Sequence, residues 1–335
     1  MKEVLISYNT IKETVAKLLN KEWNVITPSP DGIRYTAITS SDEINLAGDQ
    51  RPTNISVKEF FFPKTDPVFY FKKNQSEVEL IDAVLNDKKN LFLGIKPCDA
   101  AGIPVLDKIF NWDYKDEFFN SRVNNSVIIG LACSYSDPQC FCTSVNLSPD
   151  STKGSDLFLI PVDNSGFRLQ VITEKGSAFL KEFGALEETS GPAHPKNSTV
   201  PDKKFDYDKV KNWLDNNFQS DFWKGKGELC LGCAQCAFVC PVCHCFDIID
   251  ESCGYECGRR VKNWDACQFG LFTKHASGHN PRNDQSKRYR QRINHKFKYY
   301  DDKFGEILCT GCGRCSRDCV AGIDIGEILA EINTF

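Results

Sequence analysis

Residues 229–245 read LCLGCAQCAFVCPVCHC, and a shorter version, LCTGCGRCSRDC, returns at residues 308–319. Each stretch contains the spacing C-x2-C-x2-C-x3-C, which is the ligand spacing of a [4Fe–4S] cluster. Three thiols at steps of three on a compact loop reach three corners of a cube of iron and sulfide. The repeat therefore predicts a mainly helical domain that carries two [4Fe–4S] clusters.

The fourth cysteine of each run is predicted to cross over, because in two-cluster ferredoxins it binds the other cluster. This pattern predicts a ferredoxin-like domain with one cluster on Cys230, Cys233, Cys236 and Cys319, and a second cluster on Cys309, Cys312, Cys315 and Cys240. Two features leave the fourth ligand of the second cluster open. The segment between Cys240 and Cys309 is far longer than in a small ferredoxin, and Val320 replaces the proline expected after the last cysteine. Cys243 and Cys245 are the alternatives to Cys240.

The cysteine content indicates metal ligation rather than disulfide bonds. The chain of 335 residues has 17 cysteines, and a long chain in a reducing compartment does not use that many in disulfides. Zinc is the alternative to iron and sulfide. Structural zinc sites use pairs of cysteines separated by a longer loop, so three consecutive short steps, occurring twice, fit zinc poorly.

Charge and hydropathy argue against two classes of partner. The formal net charge of −4 is too small to indicate nucleic-acid binding. No apolar run has the length of a membrane-spanning helix, so membrane insertion is not expected. The N-terminal residues lack the basic, apolar and small-residue order of a signal peptide. We therefore expect a cytoplasmic protein.

The upstream part of the chain alternates helix-like and strand-like segments, which predicts an α/β fold with a mixed sheet. LFLGI (91–95) and SVIIGLAC (126–133) are short buried-strand patterns, whereas residues 76–86 have helical spacing. The turn DNSG (163–166) between two apolar segments predicts a hairpin. The predicted organisation is an α/β domain over residues 1–190, a linker over residues 191–205 and a dicluster ferredoxin-type domain over residues 206–335.

A third group of cysteines is predicted to converge in the α/β domain. Cys98 follows the strand pattern LFLGI, and Cys133 ends the pattern SVIIGLAC. If these strands are parallel neighbours, both thiols lie at the carboxyl ends, where α/β sheets bind ligands. The loop SYSDPQCFC then brings Cys140 and Cys142 to the same edge. These four residues predict a third [4Fe–4S] cluster, with zinc binding and packing as small hydrophobic side chains as the alternatives.

The cysteines outside these groups are expected to pack around the clusters, with a further site that includes His244 as the alternative; they are Cys243, Cys245, Cys253, Cys257 and Cys267. Residues 282–298 hold seven basic side chains against one acid, Asp284. This run is either a solvated helical face or a set of cations beside the clusters. Each cluster adds a charge of about −2. Cations there would favour reduction and help an acidic partner subunit to dock.

Several stretches together resemble the iron–sulfur subunits shared by anaerobic sulfite reductase (its A subunit) and cytoplasmic sulfhydrogenase (its β subunit). The resemblance extends from about residue 50 to 330 and is carried by EFFFPKTDPVFYF, GIKPCDAAGIPVLDKIF, ACSYSDPQCFC, CPVCHCFD, RRVKNWDACQF, ASGHNPR, RYRQRINHKFKYY and LCTGCGRCSRDCVAGIDI. It implies an electron-transfer subunit that works between a flavin subunit that oxidises NAD(P)H and a separate catalytic subunit of the hydrogenase, sulfite reductase or heterodisulfide reductase type.

The absence of a nucleotide motif agrees with that role. No G-x-G-x-x-G lies between a strand and a helix, so we expect no flavin or NAD in this chain. Two other functions remain as alternatives. The chain is an enzyme in its own right if the cluster at Cys98, Cys133, Cys140 and Cys142 has an open corner, or it is an iron–sulfur redox sensor.

Overall fold

The computed structural model describes residues 2–46, 50–74, 77–85, 87–162, 166–189 and 199–335. Its strands are β1 (Glu3–Ile6), β2 (Asn24–Pro28), β3 (Tyr35–Ile38), β4 (Thr65–Asn74), β5 (Glu77–Asp82), β6 (Asn90–Ile95), β7 (Ser126–Leu131), β8 (Leu157–Val162), β9 (Gly166–Val171), β10 (Glu187–Glu188), β11 (Phe246–Ser252) and β12 (Cys257–Trp264).

The helices are α1 (Tyr8–Asn20), α2 (Lys58–Phe61), α3 (Pro97–Ala100), α4 (Gly102–Phe110), α5 (Glu117–Asn124), α6 (Glu174–Phe179), α7 (Tyr207–Asn216), α8 (Phe222–Glu228), α9 (Gln235–Phe238), α10 (Gln285–Asn294), α11 (Tyr300–Phe304), α12 (Arg314–Arg317) and α13 (Ile325–Ile332). Short 3-10 turns occur at Ser41–Glu43, Cys142–Val145 and Leu180–Phe183, and a π turn joins α10 to α11 at His295–Tyr299.

The larger sheet contains eight strands in the order β10-β1-β9-β8-β7-β6-β2-β3. Its centre is parallel, since β2 pairs with β6, β6 with β7 and β7 with β8 in the same direction, whereas the outer pairs are antiparallel. The predicted mixed sheet is therefore confirmed. Every residue of β6 and β7 is buried, which explains why both read as continuous apolar runs. The predicted hairpin is formed by β8 and β9, although its turn residues 163–165 lie outside the described residues.

The pairing of β6 with β7 places two predicted ligands at one edge of the sheet. The two strands are parallel neighbours, with Phe92 opposite Ile128. Cys98 lies in α3, directly after the end of β6, and Cys133 follows the end of β7. The prediction that both thiols lie at the carboxyl ends of neighbouring parallel strands is confirmed.

The smaller sheet joins strands from both sides of the predicted linker, in the order β11-β12-β4-β5. Residues 76–86 were expected to be helical, and this prediction is wrong because Glu77–Asp82 form β5. All six residues of β5 are exposed, so its apolar side chains face no core, and antiparallel pairing with β4 sets its conformation. Residues 190–198 lie outside the described residues, so the linker over 191–205 and the two domain boundaries stay a prediction.

The helices from α7 onward pack around a second core. Asp206 caps α7 through its side chain, and Val210 and Leu214 of this helix are buried. Phe141 and Val145, from the loop that carries Cys140 and Cys142, pack in this same core. The two parts of the chain therefore share a core as well as a sheet. No helix in the described part of the chain is both long enough and apolar enough to cross a membrane.

Candidate iron–sulfur centres

The first group of predicted ligands lines one cavity beside the loop after α8. The four ligands that crossed ligation predicts, Cys230, Cys233, Cys236 and Cys319, line it together with Cys315 of the second run. The wall is otherwise mainly apolar, with Leu231 and Ile325 among its residues. Gln285 Nε2 donates to Cys230 Sγ over 3.1 Å and to Gln268 Oε1 over 2.7 Å. Sequence spacing carried no signal for these glutamines, because they come from segments distant from the run.

The second group gathers around a buried lysine and consists of Cys309, Cys312, Cys315 and Cys240. Lys296 Nζ donates to Cys240 Sγ over 3.3 Å and to the carbonyl oxygen of Leu308 over 2.9 Å, so it joins the two cysteine runs. Cys243 hydrogen-bonds with Cys240, and the guanidinium of Arg292 donates to Cys243 Sγ over 3.7 Å. Because Lys296 holds Cys240 beside the start of the second run, the geometry favours Cys240 as the fourth ligand, and the assignment stays a prediction.

The third group lies at the carboxyl ends of β6 and β7. One cavity there is lined by Cys98, Cys133, Cys140 and Cys142. Gly311 and Cys312 of the second run form part of the same wall. The backbone N–H of Phe141 donates to the carbonyl oxygen of Gly311 over 2.9 Å. The structure therefore brings the four predicted thiols together and places them against the second group.

The donor set fits iron–sulfur clusters better than a single metal ion. Within the described residues, no three His, Cys, Asp or Glu side chains are close enough to hold one ion. A cube presents its irons at separate corners, so its thiolates surround a cavity instead of meeting at a point. Thr310 Oγ1, next in sequence to Cys309, is buried and has no hydrogen-bond partner among the described residues. Such a hydroxyl is available to donate to a cluster sulfur.

Burial keeps several of these thiols protonated until a metal binds. It raises the pKa of Cys140 to about 11 and the pKa of Cys142 to about 12. The pKa values of Cys236 and Cys309 are likewise raised by burial to about 12. Only the thiolate binds metal, so binding must displace these protons, and the free energy of binding stabilises the fold around each site.

Two basic side chains of the 282–298 run lie buried beside the thiols. Arg292 and Lys296 are one turn apart in the continuous helix formed by α10, the π turn and α11, and they are 3% and 2% exposed. Burial lowers the pKa of Lys296, but the sulfur atoms of Cys240 and Cys243 raise it by more, so the ammonium stays charged. For these two residues the structure favours cations beside the clusters over a solvated face. π turns often occur at functional sites.

Replacing Lys296 by glutamine is expected to make the second site harder to reduce. The change removes a buried positive charge and its hydrogen bond to Cys240, which is worth about 1.5–3 kcal/mol for a charged donor. Only the part of this energy that is larger in the reduced state changes the midpoint potential, so at 59 mV for each 1.4 kcal/mol the potential should fall by up to about 120 mV. An EPR-monitored redox titration measures this shift. Lys298→Gln is the control, because Lys298 pairs with Asp215 and Asp302 instead of a thiol, and an equal shift there would contradict the assignment.

The remaining cysteines separate into three pairs of contacts. Cys253 and Cys257 form a disulfide at the tip of the β11–β12 hairpin, where Cys253 is exposed. The expectation that they pack around the clusters is therefore wrong, because the two cysteines bond to each other at an exposed hairpin tip. Cys245 and Cys267 hydrogen-bond with each other, and Cys243 contacts Cys240. Cys243 and Cys267 both lie close to the predicted ligand Cys236, which is consistent with the expectation that they pack around the clusters.

His244 does not complete a further metal site within the described residues. Its ring contacts that of His295, with 5.4 Å between the ring centroids, and its Nδ1 lies 3.0 Å from the carbonyl oxygen of Val242. Burial lowers the pKa of His244, and burial likewise lowers the pKa of His295 to about 3. Both rings are therefore neutral at physiological pH.

Comparison with known proteins gives two matches. Residues 229–323 match the family described as "4Fe-4S dicluster domain". The chain is 31% identical over 314 residues to sulfhydrogenase 2 subunit beta of Pyrococcus furiosus, and the match covers 89% of this chain and 88% of that protein. No solved structure matches. The match to the dicluster family places [4Fe–4S] chemistry in the segment that holds the two cysteine runs.

Proposed function

Because the chain belongs to the family of sulfhydrogenase β subunits, we propose that it relays single electrons between two partner subunits of an oxidoreductase complex. One partner is a flavin subunit that oxidises NAD(P)H, and the other is a catalytic subunit of the hydrogenase, sulfite reductase or heterodisulfide reductase type. The flavin and the nicotinamide belong to the first partner, and the chain is not catalytic by itself. The complex is expected in the cytoplasm.

The observation that carries this proposal is the linear order of the three thiol groups. Cys315 of the second group reaches the wall of the cavity that holds the first group. Cys312 of the second group reaches the wall of the third cavity. The second group therefore lies in the middle, and it contacts each of its neighbours through one of its own cysteines. A relay requires such a continuous series, whereas a single open-cornered enzyme site does not.

The clusters supply one-electron reduction and oxidation when bound, and the chain supplies insulation and two open ends. The middle group is the most enclosed, with Cys240 and Cys312 both buried. At the first group Cys233 is exposed, and Leu231 and Val320 beside it are 71% and 75% exposed. At the third group Cys133 is half-buried. Both ends of the series are therefore accessible from solvent, the first group through Cys233 and the third group through Cys133.

Anaerobic purification of the tagged chain from its native cells tests the proposal. A flavoprotein and a catalytic subunit should co-purify in fixed stoichiometry. NAD(P)H should bleach the visible absorbance of that complex but not that of the separately expressed chain, which dithionite should bleach. Direct reduction of the separate chain by NAD(P)H would contradict the division of labour, and a chain that purifies alone as a monomer would contradict the relay.

A further inference from the structure

Helix α12, in the second cysteine run, binds the third group through two arginine–aspartate pairs. The guanidinium Nη2 of Arg314 donates to Asp99 Oδ2 over 2.6 Å. The guanidinium Nη1 of Arg317 lies 2.8 Å from both carboxylate oxygens of Asp137. Each aspartate lies beside a predicted ligand of the third group, and each arginine lies between two predicted ligands in the second run.

Both aspartates are tied to the loops that present the thiols. Asp99 directly follows Cys98 in α3, and the hydroxyl of Tyr35 also donates to Asp99 Oδ2, over 2.8 Å. Asp137 Oδ1 accepts a hydrogen bond from the backbone N–H of Cys140 over 3.1 Å. A displacement of either carboxylate would therefore displace a cysteine of the third group.

The pair between Arg314 and Asp99 is too deeply buried to be explained by stability alone. The two side chains are 1% and 0% exposed. Such a pair adds little net stability to the folded state, because the cost of desolvating two charges offsets their attraction. Among the described residues, Nη1 of Arg314 and Oδ1 of Asp99 also have no hydrogen-bond partner. A full guanidinium charge is thus held, incompletely paired, between two groups of thiols.

The backbones of the two sites pack directly against each other around these pairs. A Cβ on Gly311 would lie 2.4 Å from the backbone nitrogen of Cys142. A Cβ on Gly313 would lie 2.6 Å from the carbonyl oxygen of Gln139. The charge of Arg314 acts on Cys312 and Cys98, and the charge of Arg317 acts on Cys312 and Cys140, so the arginines of α12 reach thiols of both the second and the third group.

We propose that Arg314 and Arg317, with Asp99 and Asp137, form a clamp that joins the second group to the third and sets the reduction potentials of both together. The clamp rests on the proposed function, because it acts on sites that exchange single electrons. A buried positive charge favours an added electron and a buried negative charge opposes it, and both effects decrease with distance. The arginines therefore raise the two potentials and the aspartates lower them.

The test compares Arg314→Gln and Asp99→Asn in the full chain, with each midpoint potential read by EPR-monitored redox titration. Arg314→Gln should move the potentials of the second and third sites in the negative direction, and Asp99→Asn should move them in the positive direction. The first site should shift less in both variants. A merely structural role would not reverse the sign between the two partners of one ion pair. Arg317→Gln and Asp137→Asn repeat the comparison at the second pair, should either first variant fail to fold.

Arg122→Gln is the control, because it breaks a partly buried pair with Asp66 that contacts no thiol, and it should leave all three potentials unchanged. The clamp is overturned if the arginine and aspartate variants keep their iron and shift in the same direction, or do not shift. If the unaltered chain contains no cluster at the third site, both the clamp and the three-site relay are wrong. If the variants keep the iron content of the unaltered chain and their potentials do not change, only the clamp is wrong.

Discussion

A chain with Cys140→Ser is expected to bind about eight iron atoms, whereas the unaltered chain is expected to bind about twelve. The third group loses a ligand in this variant, and each cube holds four irons. The first and second groups do not use this thiol, so their EPR signals should persist. The helices after α7 should stay folded, since their core depends on Phe141 but not on the neighbouring sulfur. Iron analysis of anaerobically prepared protein, with EPR of the reduced state, measures the loss.

Cys267→Ser is the control for that variant. Cys267 and Cys140 are both 8% exposed, so the two substitutions remove equally buried sulfur atoms. Only Cys140 lies in a predicted ligand group, and Cys267→Ser should keep about twelve irons. Equal iron in both variants would show that Cys140 is a packing residue and that the third group holds no cluster.

Gly311→Ala is expected to destabilise the second run strongly. The residue has φ of +63°, which costs a side-chain-bearing residue about 1–2 kcal/mol. Its added Cβ would also lie 2.4 Å from the nitrogen and 2.5 Å from the Cα of Cys142, and backbone atoms cannot move aside as a flexible side chain does. Overpacking of this kind adds about 1–3 kcal/mol. Chemical denaturation of the anaerobic protein measures the total, and iron analysis should show loss at the second and third groups.

Gly305→Ala separates the two causes. Gly305 also has φ of +63°, but a Cβ there would meet no atom within 4 Å. This variant should lose only the conformational term, about 1–2 kcal/mol, and should keep its iron. If the two variants were equally stable, the close packing of the second run against Cys142 would be wrong.

The first two thiol groups were predictable because their ligand spacing is local. Three cysteines at steps of three place their thiols on one loop without any knowledge of the rest of the fold. The third group required a rule about topology, namely that parallel strands end at the same edge, and the neighbouring β6 and β7 satisfy it. In all three groups ligation itself remains a prediction, whereas the convergence of the thiols is a feature of the structure.

Other features depended on contacts that no periodicity reveals. The segment that forms β5 is exposed on both faces, so its apolar residues mark no core face. Their spacing over residues 76–86 predicted a helix, whereas pairing with β4 makes a strand. The basic run left open whether its cations face solvent or the clusters, and only the structure shows that Arg292 and Lys296 are the buried ones. The pairing of Arg314 with Asp99 joins residues far apart in sequence, and no local spacing connects them.

Counting iron and electrons in the isolated, anaerobically prepared chain tests the central claim most directly. Three relay sites predict about twelve irons per chain, at four per cube, and full reduction by three electrons that enter singly in a controlled-potential titration. About eight irons with two electrons would contradict the third site. A colourless protein that contains zinc and accepts no electrons would contradict the account as a whole.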